Sequence, residues 1–314
     1  MRKIKKISPG GIGILLALFS AMCSSIYDPL GSLISNESFS LYFFGAFAYF
    51  GGLLVALISF FLILIKNRES KDHNFLKGKK EWGIAFLSAL FSVGANLLLL
   101  LALKIAPASQ VALFSNVEIV CTSLLAFLFF KEAIEWFNWT GIALIFSGVI
   151  ILSLSSSTSG AISFSPASLL ALGAAFCWGM ENNLTRLISH RNSAQTIIIK
   201  CSIGSILEFI IAFSLGGSLT NVAQPFEAIG VGIIAFGISL LCYIHAQRRI
   251  GASKTSAFYA SSPFLGSIIS LLIYHEVPSW AFYLAFCLIL CGQAFIAFFT
   301  LKKERNKEKA SVSN

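Results

Sequence analysis

The feature that most constrains this chain is a succession of ten apolar runs. Each is long enough to cross the roughly 30 Å of bilayer hydrocarbon, which takes about 20 residues in a helix. The runs lie at 10–35, 38–65, 82–103, 107–130, 135–155, 164–188, 194–215, 228–247, 252–274 and 278–300. Lipid offers no partner for a free backbone N–H or C=O, so each run is predicted as a helix. Only the connection from Lys66 to Glu81 is long and charged. The others are short, which makes sequence neighbours antiparallel hairpins. The predicted fold class is therefore all-α: a polytopic membrane protein with ten transmembrane helices.

Composition agrees. Charged residues make up 12% of the chain and apolar residues 56%, with a mean hydropathy of +0.82. A soluble domain averages about 25% charged, so an ordinary soluble enzyme, a disordered chain and a secreted disulfide scaffold are excluded. The net charge of +9 does not point to nucleic acid, because the basic residues sit in the gaps between apolar runs. The seven cysteines lie inside the runs and form no CxxC or Cys/His pattern, so no metal and no cofactor is expected. Cys287 and Cys291 share a helix face, read as packing of two small side chains. The basic start Met1–Lys6 resembles a signal peptide. The run that follows is too long for one and has no cleavage site, so it is read as an uncleaved first span.

Lysine and arginine set the orientation. With the N-terminus in the cytoplasm, the inside segments hold 21 of the 23 basic residues; only Lys104 lies outside, and Lys200 falls within a span. One span more or fewer would switch the later loops to the other side and erase this bias. Ten spans with both termini cytoplasmic, in the cytoplasmic (inner) membrane, is the expectation.

The two halves repeat. At a shift of 154, Leu15–Leu18 matches Leu169–Leu172, and Ala21, Cys23 and Leu30 match Ala175, Cys177 and Leu184. At a shift of 144, Phe114, Glu132, Trp136 and Gly148 match Phe258, Glu276, Trp280 and Gly292. The Glu-xxx-Trp-x11-Gly block is the more specific signal, since Leu matches are common by chance. Five spans per repeat is an odd number, so the second unit must enter the membrane inverted, an arrangement found in secondary transporters. The expected organisation is a cytoplasmic N-terminus at 1–9, repeats at 10–155 and 164–300, and a basic cytoplasmic tail at 301–314.

These doubled blocks, with Ala108-Ser109 and Ala252-Ser253, Pro263, and Cys177-Trp178-Gly179 followed by Leu184-Thr185-Arg186, resemble the drug/metabolite transporter superfamily in its ten-helix EamA-type branch. The resemblance covers about residues 10–300. Span four departs from it, with Glu118-Ile119 where many members carry a proline, so no proline is available there to kink the helix. The resemblance implies a transporter of small organic solutes, often an exporter of amino acids or related metabolites. It also implies a cavity lined mainly by helices one, three, four, six, eight and nine.

Ionisable groups inside hydrocarbon cost several kcal/mol unless they face a cavity or a partner. Glu118 lies about 17 Å into span four, near the midplane. It is read as a cavity group for recognition or proton coupling, or as a carboxyl that holds a neighbouring helix. Trp178, Glu181, Asn182 and Thr185 share one face of span six and are read as cavity-lining. Glu181 and Lys200 are equidistant from the turn at His190-Arg191, so a hairpin puts them at equal depth. They are expected to form an ion pair or a shared site for a zwitterion, unless Lys200 snorkels to the nearby membrane face. Asp28 before Pro29 either lines an outer vestibule or serves the disrupted backbone. Asn96 on the span-three stripe, with Tyr259 and Ser262 on span nine, completes the cavity candidates. Glu208 is read as structural, on a span expected to be peripheral. His245 is more often an interfacial residue than a switch, and Glu132 and Glu276 are read as structural caps. Gly141 and Gly148 suit tight packing.

No phosphate-binding loop, nucleophile elbow or metal cluster appears, so an enzyme is not expected. The expected function is a secondary transporter or exporter of small organic metabolites (amino acids or related polar solutes) working by alternating access. The alternatives are a facilitative channel and an intramembrane lipid-modifying enzyme. Expected partners are a small-molecule substrate, the lipid bilayer and protons as coupling ion. A homodimer is compatible with the sequence, and no nucleic acid is expected.

Overall fold

The computed structural model describes residues 9–36, 39–65, 74–131, 135–155, 165–188, 190–217, 219, 222–250, 255, 258–275 and 277–312. Among them every regular element is helical. The first crossing is split into α1 (Pro9–Ser24) and α2 (Tyr27–Ile34). The second is α3 (Leu41–Ile65) and the third α4 (Gly78–Leu103). The fourth is split into α5 (Ala108–Ser115) and α6 (Val117–Phe130), and α7 (Trp136–Ser155) ends the first repeat. The second repeat begins with α8 (Pro166–Leu187) and α9 (Ser193–Ser214). Its third crossing joins α10 (Ala223–Gly232), a π-helical turn (Ile233–Ile238) and α11 (Ser239–Ile250). Its fourth ends in α12 (Ser262–Tyr274), and its fifth is α13 (Trp280–Val312).

Seven described spans are long and apolar enough to cross a membrane by length and composition, and α7 and α12 contain shorter apolar stretches. The remaining crossing, α8, is 22 residues long but carries Glu181, Asn182, Asn183 and Arg186. Large apolar side chains such as Phe61, Leu62 and Phe129 face outward, as contact with lipid requires.

The two repeats interlock about a pseudo-twofold axis. The third crossing of each repeat packs on the first crossing of the other: α4 against α8, and α11 against α1. Second crossing packs on second (α3 on α9) and fifth on fifth (α7 on α13). The α7–α13 crossing is close because glycines make it so. A Cβ on Gly141 would stand 2.8 Å from the Gly292 carbonyl, and one on Gly148 would stand 2.9 Å from the Ala285 carbonyl. The tight packing expected of Gly141 and Gly148 is what the structure shows.

Helix breaks repeat as well. Pro29 has no N–H for the Ser25 carbonyl and crowds it, and the chain turns at Ser25-Ile26. Pro263 stands just inside α12, whose N-cap is Ser261. The fourth crossing breaks at Asn116 although it has no proline. There the Asn116 amide donates to the carbonyls of Leu113 at 3.0 Å and Ala112 at 3.4 Å, a side-chain competitor for helical bonding. Lys131 and His275, one shift of 144 apart, both close their helices in the left-handed region, at φ 54° and φ 50°. The adjoining Glu132 and Glu276 lie outside the described residues, as do Ala252, Ser253 and residues 1–8.

At the predicted cytoplasmic end, the α3–α4 connection grips the α8–α9 turn. Asn192 N–H donates to the Asn74 carbonyl at 2.8 Å, and Leu76 N–H to Gln195 Oε1 at 2.9 Å. Arg191 bonds Glu81 at 2.5 Å and also Asn74. α13 continues without a break into the basic tail. Cys287 and Cys291 are exposed on the outside of α13. Gly292 and Ala285, and not the cysteine pair, are what meet α7.

Candidate functional site

Five helical crossings bring polar side chains to one place in the interior. α6 contributes Glu118 and Thr122, one turn apart after the Asn116 break. α8 contributes Trp178, Glu181 and Asn182, and α9 contributes Lys200. α1 supplies Ser24 at its last turn, and the ninth crossing supplies Tyr259 and Ser262 at its break.

Asn182 Nδ2 donates to Glu118 Oε1 at 2.6 Å and to Thr122 Oγ1 at 3.4 Å. Lys200 Nζ lies 2.9 Å from Glu181 Oε1, the pairing that equal distance from the hairpin turn predicts. Tyr259 O–H donates to Ser24 Oγ at 2.9 Å, and Ser24 and Ser262 hydroxyls meet at 2.6 Å. The Tyr243 ring from α11 leans on the Tyr259 ring with centroids 4.9 Å apart. Glu118 lies within coulombic reach of Glu181, Lys200 and Tyr259. All of these side chains except Ser262 are only half-buried. Polar groups gathered inside an apolar bundle mark the candidate site, because such groups in hydrocarbon face a cavity or one another.

Two further asparagines anchor the walls. Asn183 Nδ2 bonds the Thr122 carbonyl at 3.1 Å and the Gly179 carbonyl at 2.8 Å, which ties α8 to the backbone of α6. Gly179 permits that approach, since a Cβ there would stand 2.9 Å from the Cys121 Cβ. Gln293 Nε2 on α13 donates to Asn116 Oδ1 at 2.5 Å and so holds the break in the fourth crossing. Sequence reasoning passed over both Asn116 and Gln293. The signal for Gln293 was there to find: an amide in an apolar span needs a partner.

Not every predicted cavity residue joins this group. Asn96 is 2% exposed and donates from Nδ2 to Glu208 Oε1 at 2.7 Å. Asp28, in the first turn of α2, is half-buried and in coulombic reach of Tyr27. His245 is exposed, with Nδ1 2.8 Å from the Leu241 carbonyl of its own helix. Glu208 was expected on a peripheral span. α9 packs on α3 and α4 with one side and leaves Ile206, Ile210 and Phe213 exposed on the other; Glu208 is wholly buried on the packed side. Among the described residues no group of His, Cys, Asp and Glu is arranged to hold a metal.

The fold defines the class: a polytopic helical membrane protein built from two inverted repeats around a polar centre. Comparison with known proteins names the lineage. The EamA-like transporter family matches residues 11–154 and again 165–298, and the chain belongs to that family. It is 30% identical over 218 residues to an uncharacterized transporter of Methanothermobacter thermautotrophicus, covering 67% of this chain and 62% of that relative's length. It is 24% identical over 270 residues to the uncharacterized transporter YyaM of Bacillus subtilis, covering 83% and 87%. A shorter match, 33% over 88 residues, is to a probable 4-amino-4-deoxy-L-arabinose-phosphoundecaprenol flippase subunit, ArnE, of Hamiltonella defensa, covering 27% and 79%. A solved crystal structure superposes with a TM-score of 0.64 at 17% identity, over 94% of this chain and 99% of the other, which shows the fold.

Proposed function

We propose that this protein is a secondary carrier that exports small amine-bearing metabolites, amino acids or related polar solutes, across the cytoplasmic membrane by alternating access. Both termini face the cytoplasm, as the distribution of basic residues favours. Family membership and the names of its relatives support transport and not catalysis.

The observation that carries the substrate class is the charge balance of the cavity. Among the described residues it holds two carboxyls, Glu118 and Glu181, against one ammonium, Lys200, and that ammonium is bonded to Glu181. Among the described residues Glu118 is held by a neutral amide, that of Asn182. The surplus negative charge suits an ammonium group, which would form charge-assisted hydrogen bonds with Glu118. The solute's own carboxylate, where it has one, would compete with Glu181 for Lys200. Trp178 and Tyr259 supply aromatic surface beside the charges, favourable for a cation. The breaks at Ser25-Ile26, Asn116 and Ser261 border the site and divide three of its crossings into segments. Rocking of those segments would expose the cavity to one side at a time.

The test is ligand-dependent thermal stabilisation of the purified protein, screened over amino acids, polyamines, nucleosides and sugars. A solute that binds the native state raises the melting temperature. Amine-bearing solutes are expected to do so in the wild type, and Glu118→Gln is expected to remove the rise. Stabilisation by sugars alone, or an amine response untouched in Glu118→Gln, would overturn this assignment.

A further inference from the structure

A second carboxyl lies away from the cavity, about 9 Å from the C-terminal end of α9. Glu208 is 0% exposed. Asn96 Nδ2 occupies its Oε1, while its Oε2 meets no hydrogen-bond partner. The hydroxyl of Tyr27 is also buried, beside the Asn96 amide and in coulombic reach of Glu208. A Cβ on Gly45 of α3 would stand 1.9 Å from Oε2, and 3.0 Å from Leu100, so the carboxyl is packed against a glycine that leaves no space beyond it.

The groups facing Glu208 are few. α2 presents Tyr27, with Asp28 beside it; α3 presents Tyr42 and Tyr49; α4 presents Asn96. Lys104 stands farther out, its Nζ 4.3 Å from the centre of the Tyr42 ring. Lys200, on the same helix, is two turns away and bonded to Glu181. No ammonium or guanidinium contacts the carboxylate among the described residues. An ionised carboxylate without such a partner is costly in this setting, whereas a carboxylic acid is not. The close fit against Gly45 admits a proton but not a coordinated cation.

We propose that Glu208 is a proton-binding site of the carrier, separate from the solute cavity. It is sealed in this conformation and opens toward the predicted outer face when α2 moves. Tyr27 opens α2 directly after the break at Ser25-Ile26, so tilting of that eight-residue helix withdraws one wall of the pocket. Tyr42 under Lys104 separates it from the outer surface. The proton then leaves Glu208 for outer water, and the bare carboxylate holds the pocket open until it is reloaded.

This inference rests on the carrier function proposed above, and its test uses no solute, so the two fail separately. Infrared spectra of the protein in liposomes should show, at neutral pH, a carboxylic-acid C=O band that is lost in Glu208→Gln, is retained in Glu118→Gln and fades as the bath becomes alkaline. In a background lacking other cysteines, a membrane-impermeant maleimide should label Ser24→Cys at a pH-dependent rate, and Glu208→Gln should abolish that dependence. If Glu208→Gln does not fold, Asn96→Ser replaces it, and removal of the amide donor should shift the same band. The proposal is overturned by the absence of any acid band assignable to Glu208, by a band that no pH alters, by one that sodium chloride removes at constant pH, or by an identical labelling profile in wild type and variant.

Discussion

Glu118 and Glu208 are the same chemical device in two settings. Each is a carboxyl inside the membrane, and each has one oxygen held by one asparagine amide, at 2.6 Å from Asn182 and 2.7 Å from Asn96. Glu118 is half-buried and looks onto Thr122, the Glu181–Lys200 pair and Tyr259. Glu208 is sealed among Tyr27, Tyr42, Tyr49 and Gly45. The contrast teaches that access, more than residue type, sets what a membrane carboxyl can bind. A carboxyl only partly buried beside other polar groups can exchange partners with a solute. A carboxyl closed in by rings and a glycine can exchange only a proton.

The sharpest way to break this comparison is to remove each asparagine. Asn96→Leu strands Glu208 without its donor in a closed pocket and should cost about 3 kcal/mol or more. Asn182→Leu leaves Glu118 within reach of water and should cost only about 1 kcal/mol. Chemical unfolding in detergent measures both, and equal losses would erase the distinction. A second probe is steric. Gly45→Ala drives a methyl group into Glu208 Oε2 and should cost about 2 kcal/mol, a loss that should shrink in a Glu208→Ala background. Gly173→Ala near the cavity meets only the Leu98 methyl at 3.2 Å and should cost well under that.

The cavity's own ion pair gives a smaller effect. Glu181→Gln, Lys200→Met and the double variant should show non-additive losses with a coupling of about 1 kcal/mol, because each side chain keeps some exposure, 13% and 14%. Additive losses would show that the contact contributes nothing. Least of all, Tyr259→Phe removes one neutral hydrogen bond, to Ser24, and should lower stability by about 1 kcal/mol or less. If Tyr259 touches the solute, amine-dependent stabilisation should fall in that variant by more than the stability does.

Much of the cavity was legible in the chain. Glu181 and Lys200 flank a short turn, and constant helical rise puts residues equidistant from a turn at the same depth. The Trp178, Glu181 and Asn182 stripe follows from 3.6 residues per turn. The helix break near Pro29 follows from a missing N–H. The break at Asn116 did not, because proline was the signal sought and an asparagine amide does the same work through its own hydrogen bonds. Asn96 was assigned to the cavity from its place on a polar stripe. A stripe shows which residues share a face but not which helix that face meets. Here it meets α9 and Glu208.

Ten crossings, their orientation bias and their duplication were written in the sequence alone, because lipid imposes length, apolarity and charge asymmetry locally along the chain. Which carboxyl is open and which is sealed was decided only in three dimensions. Burial is a property of the helices that close around a side chain, and those helices come from both repeats: α6 with α8 at Glu118, and α9 with α3 and α4 at Glu208.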